Sequence, residues 1–242
     1  MTVCCCAANS YLIPLELSSG VRWDTLSAFM MRLLGYGEDA LTLWAIQDRL
    51  SEIMTRLDDT LENVTDVFFR PSFGRRSLSS KKASISGPQF GEFDAVIISR
   101  LGVYLIEAKW TGSGEIADRN VVLRKEQVRR HQVFHEYLRR WRNGRFESWS
   151  SFVEATKSLS WSGDTGEETV FAIAPSNSRL SQNLEFVLRA CAQGGERIQD
   201  VLLVIHPSGV AQDLVAPTGF RCVEITSPPI VENFVRLSSS AT

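Results

Sequence analysis

Residues 93–110 read FDAVIISRLGVYLIEAKW, and this stretch decides how the rest of the chain can fold. Two apolar, β-branched runs, AVII and VYLI, flank a short break at residues 99–102, which predicts a β-hairpin. Strands that are apolar on both faces are covered on both faces. Three charges, Asp94, Glu107 and Lys109, interrupt the pattern, and an ionised side chain in an apolar interior is destabilising unless something compensates it.

The register of this hairpin determines whether the three charges meet. Glu107 and Lys109 are two residues apart in a strand, so they project from the same face. Asp94 joins them if the chain turns tightly at residues 100–101, because 94 and 107 are equally far from that turn. A three-residue loop with Gly102 as a bulge would shift the pairing by one residue and turn the Asp94 side chain to the other face of the hairpin.

The chemistry of the three charges follows from their proximity. Two neighbouring carboxylates repel each other, and a divalent cation removes the conflict. Mg²⁺ is typically held by one or two carboxylates, waters and phosphate oxygens, and Lys109 would then contact the attacking water or a phosphate oxygen. The pattern therefore predicts phosphodiester hydrolysis with Mg²⁺, for which Mn²⁺ can substitute. The simpler interpretation is an ion pair between Glu107 and Lys109 at a strand end, worth about 0 to 1 kcal/mol.

The rest of the chain alternates helical and strand patterns. Helices are predicted over residues 23–34, 38–57, 124–141, 149–159, 181–192 and 230–237, and strands over 64–70, 92–99, 103–110, 170–174, 201–206 and 220–225. This order predicts an α/β fold with a mixed central sheet flanked by helices. Residues 1–15 are expected to form an irregular arm. Residues 16–242 are expected to form one domain, with a core at about 36–175 and a C-terminal elaboration at 176–242.

Composition excludes several classes of protein. No apolar run approaches the ~18 to 20 residues that cross a bilayer, and no secretory signal opens the chain, so we expect a cytoplasmic protein with no membrane partner. The five cysteines, three of them at residues 4–6, lack zinc-site spacing. The net charge is only -2, but residues 70–145 carry 16 Lys and Arg against 7 Asp and Glu. That segment can attract phosphates, unless its charges scatter over several faces.

Asp94, followed after twelve residues by Glu107-Ala108-Lys109 on the second strand of a hairpin, resembles the PD-(D/E)xK, or restriction-endonuclease-like, nuclease superfamily. The order α-β-β-β-α-β matches the core of that family. The resemblance implies that Asp94, Glu107 and the carbonyl of Ala108 hold Mg²⁺ and that Lys109 serves catalysis. Many members add a Glu from the preceding helix, for which Glu38 is the first candidate.

Two features of the preceding and following helices refine this resemblance. Glu52, later in the same predicted helix, competes with Glu38 for the role of the additional metal ligand. The nuclease-related (NERD-like) branch often continues into a Trp, a Gly-containing turn and a helix bearing a Gln and a His, and Trp110 followed by Gln127 and His131 looks similar. A Gln amide at this place could bind a phosphate or support the catalytic Lys. The resemblance spans about residues 38–137.

The resemblance implies a metal-dependent deoxyribonuclease, acting on duplex or branched DNA. The basic residues expected to contact the nucleic acid are Arg75, Arg76, Lys81, Lys82, Arg129, Arg130 and His131. One active site that cuts both strands would favour a homodimer. The alternative is a catalytically inactive module of the same fold that binds nucleic acid or a protein partner.

Overall fold

A computed structural model describes residues 33–71, 91–110, 116–117, 119–156, 160–162, 168–170, 179–207, 213–227 and 234–237 of the chain. The strands in these ranges are β1 (Leu33–Tyr36), β2 (Val64–Phe69), β3 (Ala95–Ser99), β4 (Gly102–Trp110), β5 (Ile116–Ala117), β6 (Asn120–Val121), β7 (Ser160–Ser162), β8 (Glu168–Val170), β9 (Arg197–His206), β10 (Phe220–Thr226) and β11 (Phe234–Leu237). The helices are α1 (Gly37–Asp48), α2 (Leu50–Arg56), α3 (Lys125–Gly144), α4 (Trp149–Thr156) and α5 (Arg179–Gln193).

A five-stranded sheet of order β10-β9-β4-β3-β2 forms the centre of the fold. Strands β2, β3 and β4 are antiparallel neighbours, whereas β9 and β10 continue the sheet in parallel to β4. The sheet is therefore mixed, as parallel and antiparallel pairs occur side by side. The prediction of an α/β fold with a mixed sheet flanked by helices is confirmed. None of the helices in the described ranges is long and apolar enough to span a bilayer.

The two faces of the sheet bury different helices because successive side chains of a strand alternate between faces. On β4, Tyr104 and Ile106 belong to the apolar cluster that contains α1 and α2. Val103 and Leu105 belong to the cluster formed with α3, α4 and α5. All four of these β4 residues are fully buried. By the same alternation, Glu107 projects towards the face of the sheet that α3 covers, where it meets the polar side chains of Gln127 and Arg130.

The hairpin between β3 and β4 has the tight register that brings its charges together. Ala95 pairs with Ile106 and Ile98 pairs with Val103, which leaves residues 100–101 as the turn. The backbone N–H of Asp94 then donates to the carbonyl of Ile106 at 3.2 Å. Asp94 thus lies opposite Glu107, and the alternative register with a bulge at Gly102 does not occur.

Asp59 clamps the turn of this hairpin from the end of α2. Its carboxylate is 5% exposed and accepts hydrogen bonds from the Tyr104 hydroxyl at 2.6 Å and the Asn63 amide at 2.8 Å. It also accepts the hydroxyl of Ser99 at 2.5 Å, and the Ser99 oxygen accepts the Leu101 N–H at 2.9 Å. The clamp joins the turn to the sheet and so helps to fix the register of the hairpin. The opposition of Asp94 and Glu107 at the other end of the hairpin depends on that register.

Several boundaries differ from the sequence predictions. The strand that pairs with β4 on its far side is β9, within the segment assigned to the C-terminal elaboration, and β8 near the predicted 170–174 strand pairs with β7 instead. A closing helix over 230–237 is wrong for residues 234–237, which form β11 and pair with β1. Leu33 and Leu34, at the end of the predicted 23–34 helix, lie in β1, and the rest of that helix and the 1–15 arm lie outside the described residues.

We expect Asp59→Asn to lower the free energy of unfolding by about 3 kcal/mol, because an amide NH₂ would face donors and leave buried hydroxyls unpaired. Asp58→Asn is the matched control, since the Asp58 side chain is 73% exposed and an ion pair as exposed as the one with Arg221 contributes little to stability. Urea unfolding monitored by circular dichroism measures both. Equal losses in the two variants would contradict the clamp.

Candidate active site

The carboxylate of Glu107 is the centre of a buried polar cluster at the end of the hairpin. The residue is 3% exposed. Gln127 and Arg130, both on α3, donate to its two oxygens, with Arg130 Nη2 lying 2.6 Å from Oε2. Lys109 Nζ lies 3.4 Å from the other oxygen, Oε1. Side chains of one strand and one helix therefore converge on a single carboxylate.

Helix α1 supplies a second carboxylate to the same cluster. Glu38 Oε1 lies 3.7 Å from Lys109 Nζ, so the ammonium stands between Glu38 and Glu107. Glu38 lies in the first turn of α1, where a carboxylate is favoured by the helix dipole. The competing candidate, Glu52, lies on α2 and forms ion pairs with Arg49 at 3.8 Å and Arg56 at 3.1 Å. Of the two glutamates, the structure brings Glu38 to the cluster.

Asp94 immediately precedes β3, the other strand of the hairpin, and its side chain accepts a hydrogen bond from the backbone. Its Oδ2 accepts the N–H of Ala108 at 2.7 Å, beyond the last paired residue of β3. Burial and the negative charge of Glu107 raise the pKa of Asp94 to about 7, and Glu38 acts in the same direction. The Ala108 hydrogen bond and the positive charge of Lys109 oppose this increase without cancelling it. Asp94 is thus the member of the cluster whose negative charge is least compensated.

Glu107 has the opposite tendency. Burial acts to raise the pKa of Glu107, but the His131 imidazole and the charges of Arg130 and Lys109 outweigh burial and hold the pKa below its usual range. Two carboxylates on neighbouring strands are therefore driven towards different protonation states. Such a separation of pKa values is typical of functional sites.

Gln127 is placed by the start of helix α3. The chain enters the helix at Arg124 in an extended conformation, and Gln127, three residues later, accepts the backbone N–H of Arg124 at 2.7 Å through Oε1. Its amide nitrogen is left to donate to Glu107. One side chain thus accepts a backbone N–H group at the helix start and also orients the carboxylate.

Glu107 is linked through the buried His131 and Asp200 to the more exposed His135. His131 Nε2 lies 3.8 Å from Glu107 Oε2, and His131 Nδ1 lies 2.7 Å from Asp200 on β9. Asp200 is also 2.8 Å from His135 Nε2. Burial raises the pKa of Asp200, but the hydrogen bonds with His131 and His135 outweigh it and set that pKa to about 2. Burial lowers the pKa of His131, but Asp200 and Glu107 outweigh it and raise that pKa above its ordinary value.

Asp200 is a member of this arrangement that the sequence patterns did not single out. It is far from His131 along the chain, and only the pairing of β9 with β4 brings it near. A signal is nevertheless present, because Asp200 immediately precedes the apolar run VLLVI of β9, much as Asp94 precedes AVII of β3. A charge at the start of a buried strand needs a partner in each case.

The residues predicted to contact nucleic acid have different positions. Arg75, Arg76, Lys81 and Lys82 lie outside the described residues. Arg129 is half-buried on α3, Arg130 contacts Glu107, and His131 is fully buried, so His131 supports the cluster from within and offers no surface for direct contact.

Other arginines of α3 are engaged within the protein. Arg139 and Arg140 pair with Glu136 at 2.7 Å and 2.5 Å. Arg142 donates to the carbonyls of Cys191 at 2.8 Å and Gly195 at 2.7 Å, near the end of α5. Much of the basic charge on this helix is therefore compensated internally, and the charge count of the segment overstates the free positive surface.

The donor set of the cluster suits a hard divalent cation by its chemistry. Glu38, Asp94 and Glu107 offer carboxylate oxygens, the ligand type that Mg²⁺ prefers. The raised pKa of Asp94 reflects negative charge that a cation would compensate. Within the described ranges, no three His, Cys, Asp or Glu side chains are grouped as a ready-made metal centre. Both oxygens of Glu107 instead contact protein donors, so a cation would have to displace one of them.

We expect Asp94→Asn to stabilise the metal-free protein at pH 8. The pKa of Asp94 is higher in the folded state than its ordinary value of 3.8, so the folded state binds the proton more tightly. Stability should therefore fall as the pH rises from about 4 to about 7, and the Asn variant should lack this fall. Each pKa unit corresponds to about 1.4 kcal/mol, so the gain at pH 8 should be a few kcal/mol.

Urea unfolding between pH 4 and 8 in the presence of EDTA measures this difference. Asp39→Asn, in the exposed first turn of α1, serves as a control that removes an acid elsewhere. Parallel stability profiles for the wild type and Asp94→Asn would contradict the assignment.

Comparison with known proteins found no relative of this chain. No family model, no curated protein and no solved structure matches the chain. Membership in the PD-(D/E)xK superfamily therefore stays a prediction that rests on the residues themselves.

Proposed function

We propose that the protein is a Mg²⁺-dependent nuclease that hydrolyses phosphodiester bonds in DNA. One observation carries the proposal: the hairpin register sets Asp94 opposite Glu107, while α1 and α3 bring Glu38 and Gln127 to the same cluster. An ion pair at the end of a strand requires only Glu107 and Lys109 and gives no reason for the other three. Oxygen ligands can hold a metal for hydrolysis, and a buried ammonium and an amide are groups that can orient water or stabilise charge beside it.

In this proposal, each residue has a role that its surroundings support. Asp94 and Glu107, with the carbonyl of Ala108, would hold the metal, and Glu38 would assist from α1. When bound, Mg²⁺ supplies Lewis-acid chemistry and lowers the pKa of a coordinated water. Gln127 fixes the orientation of Glu107 while its own amide is fixed by the start of α3.

Lys109 provides a buried positive charge next to the proposed metal ligands. Its side chain is 5% exposed and stands between Glu107 and Glu38, so its ammonium is aimed along the row of carboxylates. From this position it can orient an attacking water through a hydrogen bond or neutralise charge on the phosphoryl oxygens.

Glu38 has 36% of its side chain exposed, which supports an approach of the substrate from the α1 side.

DNA is favoured as the substrate class by the family resemblance and by the basic segment, part of whose charge is paired within α3. The surplus of Lys and Arg in residues 70–145 surrounds the hairpin in the sequence. The alternative, an inactive module that binds nucleic acid or a protein partner, is favoured by a different observation, namely that Arg130 and Gln127 already occupy both oxygens of Glu107. The two functions differ in whether Mg²⁺ produces cleavage.

We expect the wild type to cleave labelled DNA in the presence of Mg²⁺, and Asp94→Asn and Lys109→Met to lose at least about 100-fold in rate, because each removes an electrostatic group from the reacting centre. The substrates are duplex, branched and single-stranded DNA together with RNA, and cleavage is followed on denaturing gels. Asp94→Asn is especially informative because we expect this variant to be more stable than the wild type, so its loss cannot be attributed to unfolding.

An inert wild type would contradict the nuclease assignment, provided that Mg²⁺ and Mn²⁺ have both been tried on every substrate. Salt-dependent DNA binding without cleavage would then support the inactive module, since phosphate contacts make affinity fall with salt. The absence of both would remove nucleic acid as the partner.

Glu38 and Glu52 provide a matched pair that tests which glutamate belongs to the site. We expect Glu38→Gln to lower the cleavage rate by about tenfold, through a weaker hold on the metal and on Lys109. Glu52→Gln should change it less than about twofold, because Glu52 lies in exposed ion pairs on α2. The two rates are measured at several Mg²⁺ concentrations. A larger loss in Glu52→Gln would reverse the assignment.

A further inference from the structure

We infer that Arg130 is an internal cation that neutralises Glu107 in the absence of metal and transfers to a substrate phosphate when a divalent cation binds. This inference rests on the proposed function and extends it. It gives the site a device that couples metal binding to nucleic-acid binding. The coupling is built from one side chain of helix α3.

Arg130 is bonded to an oxygen of Glu107, which would have to release this guanidinium in order to bind a metal through that oxygen. Its Nη2 lies 2.6 Å from Glu107 Oε2, the shortest ion-pair distance to that carboxylate, whereas Lys109 lies 3.4 Å from Oε1. A charge-assisted hydrogen bond of this length occupies the oxygen that faces away from Lys109. A divalent cation bound through Glu107 would compete with the guanidinium for the same carboxylate.

The surroundings of Arg130 allow the guanidinium to exchange partners. Its Cζ lies 5.4 Å from the centre of the Phe93 ring, a contact that holds the planar group without fixing a hydrogen-bond direction. Gly91, with φ of +69°, borders it, and a Cβ at that position would lie 3.0 Å from Arg130 Nη1. Glu107 holds the guanidinium through Nη2, and no described residue accepts a hydrogen bond from its buried Nε.

Charge balance gives the direction of the exchange. Without metal, Lys109 and Arg130 are within ion-pair distance of Glu107, and Glu38 is within that distance of Lys109. A divalent cation at the carboxylates would repel a guanidinium that stayed in contact with them. A phosphate group restores a negative partner, and its oxygens match the planar guanidinium better than they match an ammonium.

Arg139 provides a contrast on the same helix. It is 58% exposed and bonded to Glu136, its neighbour one turn away, so it has no reason to respond to a metal at Glu107. Arg139→Met removes the same charge and a similar volume from α3 without touching the cluster. It is therefore the matched control for Arg130→Met.

The first measurement is calorimetric titration of Mg²⁺ into DNA-free protein. We expect Arg130→Met to bind Mg²⁺ about tenfold more tightly than the wild type, because a charge-assisted hydrogen bond no longer competes for Glu107. Arg139→Met should bind like the wild type, and Asp94→Asn should bind at least about tenfold more weakly. Thermal unfolding of each variant without metal verifies that it is folded.

The second measurement separates an exchange of partners from a static loss of positive charge. The affinity for a fluorescein-labelled duplex is measured by anisotropy with EDTA and with saturating Ca²⁺, whose looser coordination disfavours turnover. The ratio of the two dissociation constants is the coupling between metal and DNA. We expect this ratio to be about fivefold smaller in Arg130→Met than in the wild type and in Arg139→Met, since the transferred guanidinium is absent.

The outcomes distinguish this inference from the proposed function. A wild type that binds Mg²⁺ and DNA, with the same coupling ratio in Arg130→Met, would overturn the exchange and leave the nuclease site intact. Unchanged or weaker Mg²⁺ binding in folded Arg130→Met would also overturn it. A wild type that binds neither Mg²⁺ nor DNA would overturn the proposed function, and the inference would fall with it.

Discussion

The ionised carboxylate of Glu107 is the constraint on which the arrangement of this protein depends. A charge that is 3% exposed must be compensated by neighbouring groups. Here the compensation comes from Lys109, two residues further along β4, and from Gln127 and Arg130 on one face of α3. Helix α3 must therefore begin where Gln127 can accept the backbone N–H of Arg124 and donate to the carboxylate of Glu107 at the same time. The apolar contacts of α3 with the sheet place the helix, and the polar contacts at its beginning determine its position along the strand.

The hairpin could be predicted from sequence because it is local, and the opposition of Asp94 and Glu107 was one of the two registers that its turn allowed. A two-residue turn leaves one pairing for the residues on either side, and the period of two assigns each side chain to a face. The position of Gln127 and His131 on one face of α3 follows equally from helical periodicity. The amphipathic helix α3 and the α/β class follow from patterns that burial imposes on any chain, whereas the single helix predicted over 38–57 is divided into α1 and α2.

The strand pairings and arginine contacts that the sequence did not predict depend on contacts between segments far apart in the chain. Residues 170–174 and 201–206 are both short apolar runs followed by proline, and no local turn signal tells which of them pairs with β4 in parallel. The strand Phe234–Leu237 exists through its pairing with β1, and such pairing overrides a weak helical pattern. Charge counts likewise cannot tell that Arg142 serves the carbonyls near the end of α5.

Stability alone does not account for this cluster. Replacing a buried ionic group with apolar residues often stabilises a protein, and Asp94, whose pKa is raised to about 7, is destabilised as an anion at neutral pH. The pair of Glu107 and Lys109 could exist without Asp94, yet the hairpin register aligns that third charge with them. The negative charge at Asp94 is tolerated most readily when a further positive group joins the cluster. Arg130 provides one at Glu107 but not at Asp94, and this difference is the physical reason for the proposal that the cluster binds a cation.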